Sequence, residues 1–277
     1  MPRLEPDIAS GSLLKYYQAL WAPYYAAVKN ILGATGTILP LGDPHHGQPN
    51  ATTLTTVGEE QVTFTWSEAP SSFDTPLDLR DPSSFQGIVP VLRFNGTDEE
   101  ADSPDAAYWS RVGGAFSVGA WVNLLDATSS TILAKYTESG DLREWRLHTT
   151  SGDDLQLVLS DEDDATTPNA TIDSLTDSPV PENVWVFVGA TYDGTANASG
   201  INLYVDGALA ASTDTDDANF SSLRDTTATV ELGMGNGASF MDGSIAGGPA
   251  GPFFTQVELT ADQMLRLYNM GRAALGA

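Results

Sequence analysis

The stretch that most constrains this chain runs from Val184 to Gly207, VWVFVGATYDGTANASGINLYVDG. Two short runs rich in β-branched and aromatic residues flank a small, polar, turn-forming segment, and Asp193-Gly194 and Asp206-Gly207 close the two runs. Trp185, Phe187, Gly189 and Thr191 alternate with their neighbours, as do Ile201, Leu203 and Val205. Period-two alternation bounded by Asp-Gly turns predicts neighbouring antiparallel strands.

The same signature recurs along the chain. Candidate strands are Val89 to Phe94, Phe116 to Leu124, Thr131 to Tyr136, Trp145 to Thr150, Leu155 to Leu159, Ala208 to Ser212 and Val230 to Met234. Many short strands separated by turns such as Ser151-Gly152-Asp153-Asp154 predict a β-sandwich or jelly roll. A chain of 277 residues fits one large domain of this kind plus an extension, or two small domains. The extension is read at the N-terminus. Ser12 can cap a helix running to Leu32, on which Leu13, Tyr16, Tyr17, Leu20, Trp21, Tyr24, Tyr25 and Val28 recur at three- and four-residue spacing, with Pro23 kinking or dividing it. This aromatic face either packs on the chain's own β domain or serves as a docking and oligomerisation arm. Gly33 to Gly58 reads as an extended arm or long loop, Gln61 to Trp66 as a strand, and Ser67 to Gln86 as Pro-rich linkage. Residues 1–86 are therefore expected to form a helix and arm, and residues 87–277 the sandwich. Thr260 and Gln263 make a T-x-x-Q capping box for a short last helix, apolar through Met264, Leu267, Tyr268 and Met270 up to Gly271.

From about Val89 onward the order of features resembles the laminin-G-like, concanavalin-A-like jelly-roll family. Leu92-Arg93-Phe94-Asn95-Gly96-Thr97-Asp98 is similar to its opening Phe-Asp-Gly turn, with Asn95 in place of the usual Asp. Phe116 to Val122 and Ile132 to Lys135 resemble its next strands, and Phe253-Phe254-Thr255 with Glu258-Leu259-Thr260 resembles its closing strand before the last helix. The ending from Gly247 to Gly276 is most similar to variants in structural proteins of tailed viruses, where the fold sits on capsids, head fibres or tails.

Charge and composition remove several classes of function. The net charge of −25 argues against nucleic acid or anionic membrane as a partner, because phosphate recognition needs clustered Lys and Arg. So many carboxylates beside so few lysines (Lys15, Lys29 and Lys135) suit a salt-rich milieu, though a plain acidic surface reads the same way. With no cysteine there is no disulfide, thiolate nucleophile or cysteine-ligated zinc. The opening MPRLEPDIASGS carries Glu5 and Asp7 without an apolar core, so it does not read as a secretory signal, and no apolar run reaches membrane-spanning length.

Catalytic patterns are weak. Glycan hydrolases with this sandwich carry alternating carboxylates, E-x-D-x-E, on one strand. Glu100-x-Asp102 and Glu162-x-Asp164 come nearest, but neither is completed and neither sits on a convincing strand. No Gly-x-Ser-x-Gly turn accompanies His45, His46 or His148. A run opening at Asp161 fails as an EF-hand, having Thr166 where Gly is needed and Ile172 where Glu is needed. The family resemblance implies a calcium between the opening turn and the closing strand. Asp98 and Glu99 match the first half, but Ala250-Gly251-Pro252-Phe253 supplies no acidic ligand for the second.

The leading expectation is a non-catalytic protein on a virion surface: a capsid decoration, vertex turret, head fibre or tail component. It would dock to other virion proteins through its arm and close on itself as a trimer or pentamer. Tyr16, Tyr17, Leu20, Trp21, Tyr24 and Tyr25 would make that contact. The alternative is a glycan-binding, lectin-like adhesion module for host-surface sugars, in a form that would take calcium at Asp98 and Glu99, and with Tyr108, Trp109 and Tyr136 as sugar contacts.

Overall fold

Short β-branched runs broken by Asp-Gly and Asn-Gly turns fold here into two packed antiparallel sheets. The computed structural model describes residues 23–24, 26–38, 53–55, 57–58, 63–66, 85–86, 89–161 and 170–277. In chain order the strands are β1 (Gly36–Ile38), β2 (Thr53–Thr55), β3 (Val57–Gly58), β4 (Thr63–Trp66), β5 (Phe85–Gln86), β6 (Val89–Asn95) and β7 (Ala101–Ser103). There follow β8 (Phe116–Asp126), β9 (Thr131–Thr137), β10 (Leu142–Thr149), β11 (Asp154–Ser160), β12 (Thr171–Pro179) and β13 (Val186–Tyr192). The last are β14 (Ile201–Val205), β15 (Ala208–Leu209), β16 (Ser212–Thr215), β17 (Val230–Leu232), β18 (Asp242–Ala246) and β19 (Phe253–Thr255).

A ten-stranded sheet runs β15-β14-β13-β8-β18-β6-β5, with β19, β1 and β3 branching from it. The long β8 makes this possible. One of its edges pairs with β13, and the other is shared by β18 near Val122–Asp126 and β19 near Ser117–Gly119. A nine-stranded sheet runs β16-β12-β11-β10-β9-β17-β7-β4-β2.

The inward faces interlock through aromatic rings. Trp145 of the nine-stranded sheet stacks on Phe254 at 5.3 Å, and Phe254 stacks on Phe116 at 5.5 Å, both on the opposite sheet. Tyr108 and Trp109, in a 3-10 turn at Ala107–Trp109, pack edge-on and tilted against Phe254. The Trp145 indole Nε1 donates to the Trp109 carbonyl oxygen at 2.9 Å, so this indole is buried with its donor satisfied.

A second apolar layer covers the outer face of the ten-stranded sheet. Helix α1, residues 23–24 and 26–32, and helix α2 (Ala261–Leu275) lie there. Val28, Ile31, Leu32, Met264, Leu267 and Leu275 bury against Trp121, Phe187, Tyr204 and Phe253. The predicted capping box forms, with Thr260 accepting from the Gln263 amide. The helix does not stop at Gly271 but ends with Gly276 in the left-handed conformation.

Several expectations change. The described end of α1 packs on its own domain: Thr255 Oγ1 donates to the Leu32 carbonyl at 2.8 Å, and Gln263 Nε2 to that of Ile31 at 3.1 Å. Tyr24 is half-buried, while Tyr16, Tyr17, Leu20, Trp21 and Tyr25 lie outside the described residues. The segment expected to be a separate arm supplies β1 and β3 to one sheet and β2 and β4 to the other, so no boundary near residue 86 divides arm from sandwich. Strands β7, β12, β16 and β18 were not expected. Each is short or dominated by Asp, Ser and Thr, and is held by its neighbours rather than by its own pattern.

Gly271 lets α2 approach the sheet, because a methyl group there would overlap the Trp121 indole. Alanine favours helix by about 1 kcal/mol over glycine, while overpacking costs about 1–3 kcal/mol. Gly271→Ala is therefore expected to lower the denaturant midpoint, where a solvent-facing glycine of a helix would raise it.

Candidate functional site

The outer face of the nine-stranded sheet is built from polar residues set between inward apolar ones. On β10, Trp145 and Leu147 point into the core, so Arg146 and His148 face outward. On β17, Val230 and Leu232 point inward and Glu231 outward. Strand register then lines up one row across the sheet: Asp102, Glu231, Ala134, Arg146, Val158, Asp173 and Thr215. Directly paired residues in an antiparallel sheet share a face, with strands about 4.8 Å apart.

The row has two chemically different ends. Near β9 and β10 it is cationic and aromatic. The Arg146 guanidinium lies 4.7 Å from the centre of the Tyr136 ring and that of Arg143 lies 6.0 Å away. Among the described residues, Arg146 has no carboxylate within ion-pair distance. Burial lowers its affinity for a proton, and Glu138 partly opposes that. Gly235 leaves room for the Arg146 stem. Next along the strands, His148 pairs with Gln156, whose Nε2 donates to Asp173 Oδ1 at 2.8 Å. Burial and the neighbouring Arg146 push His148 down to about 3, so it is a neutral imidazole near pH 7.

Near β7 and β17 the row is acidic. Glu231 is 6% exposed, and burial followed by repulsion from Glu100 pushes it up to about 7. Thr229 Oγ1 donates to its Oε1 at 3.3 Å, which opposes the shift. Glu100 is itself raised by burial and by Asp102. Of the Glu100-x-Asp102 pair, Asp102 sits in the middle of β7, opposite Glu231, and Glu100 just precedes the strand. Donors (Arg146, Gln156) and acceptors (Asp102, Asp173) thus share one partly exposed face, with Glu231 buried among them.

The residues singled out from sequence are scattered. Tyr136 lies on this face, beneath the two arginines. Tyr108 and Trp109 pack between the two sheets against Phe254, which removes them from the outer face. Their aromatic size, the reason for choosing them, is used to fill the space between the sheets. Asp98 accepts a hydrogen bond from Asn95 Nδ2 at 2.8 Å, and the described residues bring no third ligating side chain to Asp98 and Glu99. The fold instead gathers Asp126, Asp153 and Glu182 at one end of the sandwich. Their oxygens accept from Thr128 N, Thr128 Oγ1 and Ala127 N at 2.8, 3.0 and 2.9 Å. Glu231, Arg146 and Asp173 were not picked out, although alternation with Val230 and Leu232 was enough to turn Glu231 outward.

A family model of the concanavalin A-like lectin/glucanase superfamily, in its third laminin-G form, matches residues 95–247. No curated protein matches the sequence. Among solved structures, the binding domain of botulinum neurotoxin serotype G superposes with a TM-score of 0.55 at 13% identity, covering 86% of this chain and 51% of that one. The receptor-binding domain of mosaic serotype C/D gives 0.54 at 12%, covering 86% and 51%. The binding domain of botulinum neurotoxin DC in complex with SialylT gives 0.51 at 13%, covering 86% and 52%. The chain spans about half the length of these domains, and at such identity the likeness is one of fold.

Glu231 leaves a pH signature. Its folded value of about 7 exceeds the ordinary 4.5, so between these the folded chain holds a proton that the unfolded chain has lost. Its stabilising contribution is full below about pH 4.5 and is lost as pH rises through about 7. Glu231→Gln is expected to flatten the fall in unfolding free energy across that interval, measured by urea denaturation at a series of pH values. An unchanged slope would contradict the burial argument.

Proposed function

The chain belongs to the concanavalin A-like lectin/glucanase superfamily, and from that premise we propose that it is a glycan-binding module which recognises sugar on the outer face of its nine-stranded sheet. One observation carries this reading: the row from Asp102 to Thr215, in which charged side chains are interspersed with small or apolar ones and the Gln156 amide lies alongside, on a sheet face that no described helix covers. Sugar recognition calls for that mixture, because hydroxyls need both donors and acceptors while C–H faces need apolar contact. The partly exposed Arg146 and Gln156 donate, Asp173 accepts, and the Arg146 stem, held over the buried Tyr136 ring, supplies apolar contact. The neurotoxin binding domains among the structural neighbours support recognition over a purely structural part. A sugar-binding domain can still be displayed on a virion, so the particle-surface role is compatible with this reading and ranks below it.

The acidic end invites comparison with a hydrolase, because Glu231 holds a proton near neutrality beside Glu100 and Asp102. We favour binding without turnover: Glu231 keeps its proton beneath the face, out of reach of a glycosidic oxygen, and the guanidinium end holds the chain of sugars.

The test is an array of neutral, uronic-acid and sialylated oligosaccharides, followed by titration calorimetry with the best ligand. Arg146→Ala and Asp173→Asn are each expected to weaken affinity about tenfold, or about 1.4 kcal/mol. Val257→Ser, at an exposed apolar residue next to β19, is expected to change nothing. The sugar should be recovered intact. Absence of binding to every glycan would overturn the reading, and release of shorter sugars would turn it into a hydrolase.

A further inference from the structure

Lys135 is one of the few lysines in the chain, and it is completely buried. It points inward from β9, opposite Trp145. Its Nζ lies 2.7 Å from Glu144 Oε1 and 3.0 Å from Asp105 Oδ1. It also donates to the carbonyl oxygens of Thr226 and Ala228 at 2.7 and 3.2 Å. Glu144 owes its position to a β-bulge. Arg143 pairs with Tyr136 and Trp145 with Lys135, which leaves Glu144 as the extra residue turned into the core.

The three side chains are not equivalent. Glu144 has no exposed side-chain surface, and its Oε1 accepts from Ser110 Oγ, Thr226 N and Thr226 Oγ1 as well as from the lysine. Its Oε2 has no hydrogen-bond partner among the described residues. Burial raises its proton affinity, and Lys135 and Thr226 oppose the rise. Asp105 stands in the loop after β7 with its side chain 31% exposed. A buried amine therefore touches one carboxyl group fixed inside the core and another at the rim. Desolvation makes a buried ion pair expensive, and any reaction that removes both charges removes that cost.

We propose that Lys135 and Asp105 join in an intramolecular amide bond, with Glu144 carrying the proton. The ammonium gives one proton to the free Oε2 of Glu144, leaving a neutral amine held by the Thr226 and Ala228 carbonyls. The amine nitrogen attacks Cγ of Asp105 and forms a C–N bond. One carboxyl oxygen of Asp105 then leaves as water, taking the proton back from Glu144 and a second proton from the nitrogen. Ammonium and carboxylate become one amide and one water, Glu144 ends as it began, and no oxidant or other reactant is needed. Solvent exposure of Asp105 gives the water a way out. The product ties β9 to the loop after β7, two strands that the short β17 separates in the sheet. Glu144 is the less suitable electrophile, because three further donors hold its Oε1 as a carboxylate oxygen.

Intact-mass spectrometry of the purified full chain under denaturing conditions tests this. The wild-type chain is expected to be one water lighter than its sequence mass, and proteolysis should yield a branched peptide joining Lys135 to Asp105. Asp105→Ala, at the half-exposed rim where folding is least at risk, is expected at its own full sequence mass, as is Lys135→Met. Glu144→Gln should restore the missing water in freshly folded protein. A wild-type mass equal to the sequence mass would overturn the proposal and leave a buried ion pair. Loss of water that persists in Asp105→Ala, or a branch at Glu144, would equally overturn the assignment.

Discussion

The stack of Trp145 on Phe254 on Phe116 fixes the distance and register of the two sheets. Such ring pairs contribute about 0.5–1.5 kcal/mol each beyond the area they bury. Their larger effect is geometric. With Trp145 held inward, alternation along β10 turns Arg146 and His148 outward, and pairing carries that choice to Ala134, Glu231, Val158 and Asp173 on the neighbouring strands. A one-residue slip would exchange the two faces. The polar row is thus a consequence of core packing.

The two outer faces meet different fates. Trp121, Phe187, Tyr204 and Phe253 make one of them apolar, and two helices cover it, with the ring of Tyr268 stacked on Trp121 at 5.3 Å. Ala134, Tyr136 and Val158 form only a small apolar island on the other, ringed by charged and amide groups. Burying those groups under a helix would leave them unsatisfied. Electrostatics within the face follow from the same partial burial. Glu231 gains proton affinity and His148 loses it, each drifting toward its neutral form.

How far the sequence announced this can be judged from single residues. Phe116, Val118 and Ala120, or Leu203 beside Tyr204, carry enough alternation to fix strand and face. The capping box at Thr260 was equally legible because it is local. Strand β12, TIDSLTDSP, was hidden because Ile172 is its only large inward apolar residue, the inward Ser174 and Thr176 being polar. Glu144 was invisible for another reason: alternation from Trp145 sends it outward, and only the bulge reverses that. Tyr108 and Trp109 looked like sugar contacts because composition cannot distinguish a ring that meets solvent from one that meets another ring. The strands before residue 66 read as an arm because their pairing partners, β7 and β19, lie far away in the chain.

The central claim is that the outer face of the nine-stranded sheet is the recognition surface. The most direct measurement is hydrogen exchange followed by mass spectrometry, with and without a saturating glycan chosen from an array. The account predicts slowed exchange in peptides spanning β9, β10 and β17, with the helix-covered sheet unchanged. Slowing confined to the sandwich end around Asp126, Asp153 and Glu182, or none on β10, would contradict it.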